Sequence, residues 1–188
     1  MKKIAFLILT ATSIISCNQK AKFDFKFADQ EQVISCSEKD NALLNEVLYS
    51  FENDLLTKYD SVNRSKVKAY GNFIYRGMDG SAKYAEMTTP NTQPIIDALI
   101  AENILIVDKS PSHLNYEHPA VQCIVDNIKD ENLRTTLNGL IDTKTMNPKL
   151  FNSRLRNFGR NADKDRYQAL YIALDGYYQQ ILNVESKE

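Results

Sequence analysis

Tyr167-Gln-Ala-Leu-Tyr-Ile-Ala-Leu-Asp-Gly-Tyr-Tyr-Gln-Gln-Ile181 is the stretch that decides the fold class. Tyr167, Tyr171, Leu174, Tyr178 and Ile181 recur at four- and three-residue intervals, and Leu170 fills the same stripe. That is the period of an α-helix with one apolar face. Asp163 stands before it as the expected N-cap, since a short carboxylate accepts from the free N–H groups of a first turn. The four tyrosines Tyr167, Tyr171, Tyr177 and Tyr178 read mostly as core or rim residues with hydroxyls reaching water, or as a stacking platform for a sugar.

Working outward, Leu43, Leu44, Val47, Leu48, Phe51, Leu55 and Tyr59 predict a helix over about 39–59, with Ser37 or Asp40 as N-cap. Residues 62–76 fit a helix or a strand, and helix is preferred, ending near Gly77. A loop rich in Gly, Thr and Pro runs to Asn91. Thr92 and Pro94 open a short helix carrying Ile95, Ile96, Leu99 and Ile100. Ile104 to Val107 either prolong that helix or form a buried strand. Pro119 opens a further helix, Asp130 caps the next, and Pro148 opens another that stops at Gly159. Phe23, Phe25 and Phe27 alternate with polar residues, as in a short strand or extended arm. The fold class is therefore mainly α: a single compact multi-helix domain over 37–188, after a short extended N-terminal arm within 17–36.

Composition agrees. The chain has 188 residues, 43% of them hydrophobic, which suffices for one core. A net charge of −1 argues against nucleic acid as partner, because such domains carry a basic excess.

The first residues carry an address. Lys2 and Lys3 precede an apolar stretch from Ile4 to Ile15 that is too short for a comfortable membrane span, and Ser16-Cys17 follows. The run Ile14-Ile15-Ser16-Cys17 resembles the lipobox of bacterial lipoproteins. The resemblance covers residues 1–17 only. It implies a signal peptide over 1–16, cleavage before Cys17, and a lipid-modified Cys17 that tethers the chain to a membrane. Two or three acyl chains hold firmly where one anchors only marginally. Asn18, Gln19 and Lys20 lack the acidic residues linked to other destinations, so the outer membrane, facing the periplasm, is favoured within the envelope.

Cys36 and Cys123 are then either one disulfide, which an oxidising envelope permits, or two buried thiols. Motifs for chemistry are weak. His113 and His118 are five apart rather than four, so no zinc site is expected; Asn161, Asp163 and Asp165 begin like a calcium loop but lack its glycine and its closing glutamate. Ser65-Lys66-Val67-Lys68 has no Lys-Thr-Gly companion. No catalytic residue, metal or cofactor is assigned.

Charge is uneven. Residues 24–60 hold nine acidic side chains against three lysines, and residues 144–166 hold seven basic ones against two aspartates. Lys149, Arg154, Arg156 and Arg160 are the candidate contacts for an anionic partner, since guanidinium forks match phosphates and carboxylates. The bland reading is a solvated face, or a basic segment packed beside the acidic one. The expected function is that of a lipid-anchored envelope protein, non-catalytic, contacting a protein or cell-wall partner. The alternative is a periplasmic ligand-binding or hydrolytic lipoprotein with a site built from dispersed carboxylates, arginines and tyrosines; an inhibitor or immunity lipoprotein is a third class.

Overall fold

The first helix, α1 (Asn41–Tyr59), runs through the middle of the molecule in the computed structural model, which describes residues 23–79, 81–107, 112–146 and 161–185. No glycine or proline interrupts α1, and its leucines have high helix propensity. It is buried on nearly every side: Leu44, Val47, Leu48, Phe51 and Leu55 are fully enclosed, but so are Asn45, Glu46, Ser50, Glu52 and Asp54. Its start is organised by Asn41, whose Oδ1 accepts from the backbone N–H groups of Cys36 (2.6 Å) and Ser37 (3.0 Å). Asp40 makes no cap through its own side chain and instead accepts from the Ser37 hydroxyl.

Around α1 pack α2 (Lys66–Asp79), α3 (Thr92–Ala101) and α6 (Arg166–Ala173). A single 3₁₀ turn (Tyr84–Met87) links α2 to α3. On the far side of α6 lies α4 (Pro119–Asp126), and α5 (Glu131–Asp142) packs on α4. Helix α6 continues through a π-turn (Leu174–Tyr178) into α7 (Gln179–Glu185). The fold is mainly helical, with no β-strand among the described residues.

Several starts follow from the sequence. Asp130 Oδ1 accepts from Leu133 N–H at 2.9 Å, and His118 Nδ1 accepts from Ala120 N–H at 3.1 Å, ahead of Pro119 in the first turn. The cap of α6 is Asp165, not Asp163: its Oδ1 accepts from Tyr167 and Gln168 N–H, and its Oδ2 takes Lys129 N–H at 2.7 Å. One side chain thus caps α6 and ties it to the α4–α5 connection. Helix α2 passes Gly77 to end at Asp79. Ile104 to Val107 do not prolong α3. Asn103 takes a left-handed φ of 59°, a conformation asparagine tolerates better than most residues. Leu105 then makes one antiparallel bridge with Leu114. The helix expected from Pro148 to Gly159 lies outside the described residues.

Candidate functional site

The arm comes first, because it builds one wall of an apolar groove. Phe23, Phe25 and Phe27 are partly buried while Asp24 and Lys26 are exposed, so the alternation holds, but its backbone partners belong to a helix rather than a strand. Glu46, 2% exposed, accepts from Lys26 N–H (2.9 Å), Phe27 N–H (2.8 Å) and the Asn91 amide (3.0 Å). Asn45 accepts from Val33 and Ile34 N–H and donates to Ile34 and Asn41 carbonyls, meeting its full capacity. Further along, Ser35 N–H meets the Tyr167 hydroxyl, and Cys36 is joined to Cys123 of α4 as a disulfide with Cα atoms 5.7 Å apart.

Held this way, the arm and two helices enclose a groove of about 690 Å³. Phe23 and Phe25, edge to face with centroids 4.8 Å apart, form one wall. Ala42 and Leu43 at the start of α1 and Pro94, Ala98 and Ala101 on α3 form the rest. The small side chains leave room that larger ones would fill. Asp24, Asp97 and Glu102 stand on the rim, with Lys39 paired to Glu102. Cavities that hold small ligands are mostly apolar and ~300–1,000 Å³. A second hollow of about 300 Å³ lies between Ile106, Leu114, Tyr116 and Ile141, beside the Lys144–Glu117 ion pair.

The buried acids serve the fold. Glu52, 3% exposed, receives Arg166 through both guanidinium nitrogens (2.5 and 3.1 Å), Lys66 Nζ (2.7 Å) and the Tyr70 hydroxyl (3.1 Å). Burial alone would raise its carboxyl; the hydrogen bonds and charges of Arg166 and Lys66 outweigh that and hold it below its ordinary value. Arg166 also lies 5.5 Å over the Tyr49 ring. Asp54 has no cation beside it among the described residues. Its Oδ2 accepts from Tyr177 (2.9 Å) and Thr92 (3.1 Å), its Oδ1 has no partner, and burial pushes the carboxyl up to about 6. Asp175 in the π-turn is pushed up to about 6 by the same cause, against hydrogen bonds from Tyr116 (2.6 Å) and Gln179.

The tyrosines lie in the core, as expected, but their hydroxyls do not reach water. Tyr171, Tyr177 and Tyr178 are fully enclosed, with hydroxyls turned inward: Tyr177 to Asp54 and Tyr178 to the Val47 carbonyl (3.3 Å). They present no sugar-stacking platform, because α6 and the π-turn sit in the core rather than at its edge. His113 Nδ1–H donates to the Ile106 carbonyl (2.8 Å), and His118 is a helix cap. Among the described residues no group of three His, Cys, Asp or Glu is placed to hold a metal, and no helix is long and apolar enough to cross a membrane. Of the basic segment, Arg166 packs against the acidic half through Glu52. Cys17, Lys149, Arg154, Arg156 and Arg160 lie outside the described residues. The groove was not legible in sequence: it joins three segments, and only the alternation of Phe23 and Phe25 hinted at one wall.

Compared with protein-family models, curated proteins and solved structures, the chain finds no match.

Proposed function

We propose that the chain is a lipid-anchored bacterial envelope protein, tethered through Cys17 and working without catalysis, that binds another envelope component through its groove face. The observation that carries this reading is the apolar groove built by the arm that leads directly to the tether. A groove with walls from an arm clamped by buried Glu46 and Asn45 is preorganised, and preorganisation lowers the entropic cost of binding. The disulfide supports an oxidising compartment, where such bonds persist. The outer membrane, facing the periplasm, is the proposed address. The hydrolytic alternative draws no support from the acids in the core, since Glu52, Asp54 and Asp175 are each committed to internal partners.

The test is a cross-linked affinity pull-down of the lipidated protein from envelope, read by mass spectrometry, with Cys17→Ser as the unanchored control and Ala98→Trp as the filled-groove control. One stoichiometric partner that is lost with Ala98→Trp is the expected result. A partner retained with the groove filled, or none in repeated pulls, contradicts the reading.

A further inference from the structure

The groove begins where the tether ends. Phe23, the first described residue, is part of its wall, and Cys17 is only six residues earlier in sequence. Six residues span at most about 20 Å when extended. Whatever is attached to Cys17 is therefore held beside this groove at an effective concentration in the millimolar range, as for any short tether. Most of the lining is Phe, Ala, Leu and Pro, beside the charged Asp24, Lys39, Asp97 and Glu102. It suits an unbranched hydrocarbon chain better than a polar ligand.

We infer that the groove is a seat for one acyl chain of the protein's own Cys17 anchor. This rests on the proposal that Cys17 is lipid-modified and adds to it an intramolecular site. In a bilayer the chain would exchange one apolar surrounding for another, so the bilayer competes with the seat. In water an exposed acyl chain has no such alternative, and the groove takes it. Membrane insertion then vacates the same groove that the proposed function needs for a partner, so anchoring and partner binding are coupled.

The experiment uses the full chain expressed in a bacterial host fed a diazirine-bearing palmitate analogue. The lipidated protein is purified, freed of detergent, irradiated and mapped by mass spectrometry. The expected result is label on Cys17 with intramolecular cross-links to Phe25, Ala42, Ala98 or Ala101. Ala98→Trp and Ala101→Trp should each lower those cross-links by roughly tenfold, the effect of a ~1.4 kcal/mol difference. Val62→Trp, at an exposed site on the turn after α1, should leave them unchanged. Far-ultraviolet circular dichroism and the retained disulfide verify that each variant folds. Label on Cys17 with cross-links scattered elsewhere, or unaffected by both tryptophans, overturns the seat but leaves the anchored reading standing. Absence of label from the chain overturns both.

Discussion

Replacing Asp54 by asparagine should make the protein's stability respond differently to pH. Among the described residues this carboxylate has no cation beside it. Asp54 is fully enclosed; its Oδ1 has no partner, and the Tyr177 and Thr92 hydroxyls meet its Oδ2, with the Thr89 hydroxyl beside that of Thr92. The neutral form is better served. A protonated Asp54 can donate to the Tyr177 oxygen, which frees the Tyr177 proton for the Met87 carbonyl 3.3 Å away. Burial accordingly raises the carboxyl from its ordinary 3.8 to about 6. The folded state therefore holds this proton more tightly than the unfolded chain does, so the contribution of Asp54 to stability is largest below pH 3.8 and is lost as pH rises through about 6. At 1.36 kcal/mol per pH unit the loss comes to about 3 kcal/mol by neutral pH.

Paired carboxylates such as Glu52 have the opposite slope, so the wild-type curve alone is a sum. The difference between Asp54→Asn and wild type isolates the one group. Urea unfolding followed by tyrosine fluorescence, from pH 4 to 7.5, should give a variant no more stable than wild type at pH 4. By pH 7 it should have gained about 2–3 kcal/mol relative to wild type. A difference that stays flat within about 0.5 kcal/mol across this range would refute the reasoning, since it would mean that Asp54 enters the folded core already ionised at no cost.

Glu52→Leu should destabilise by about 2–4 kcal/mol in urea, at the lower part of the range for broken buried pairs because Arg166 and Lys66 keep some contact with water; the double change with Arg166→Met should recover part of that loss. Reducing the Cys36–Cys123 bridge, which closes an interval of 87 residues, should cost about 4–5 kcal/mol in the chain-entropy account, and a thermal midpoint unmoved by dithiothreitol would remove the bridge from the energetics. Glu46→Ala strips the acceptor from Lys26, Phe27 and Asn91, so limited proteolysis should cut the arm before residue 36 sooner than in wild type, while helix content measured by circular dichroism stays near its original value.

Where a segment had one polar face, the sequence disclosed it. The capping residue Asp130 and the apolar positions Ile95, Ile96 and Leu99 of α3 sit as their spacing requires. The two central helices broke the rule. Both α1 and the α6 segment are enclosed on nearly all sides, so their polar residues face inward, and an acidic excess in residues 24–60 conceals that Glu46, Glu52 and Asp54 are core groups with specific partners. Periodicity cannot signal this, because whether a glutamate is solvated or buried depends on an Arg166 or a backbone N–H brought from elsewhere. The same enclosure extends to the π-turn, where the adjacent Tyr177 and Tyr178 both lie in the core although a one-faced stripe would admit one of them. The Phe alternation suggested a short strand or an extended arm; it is an arm, and Glu46 and Asn45 supply the hydrogen bonds that a neighbouring strand would have supplied. The groove lies beyond any sequence pattern, as its walls come from residues about 80 apart.

The anchored reading stands or falls on Cys17, and the intact mass of the protein recovered from a bacterial membrane fraction tests it most directly. The account predicts a chain beginning at Cys17, carrying the added mass of a diacylglyceryl group and released to the soluble fraction by Cys17→Ser. A chain found in the soluble fraction with an unmodified Cys17, or one that retains residues 1–16 in the membrane, would contradict it.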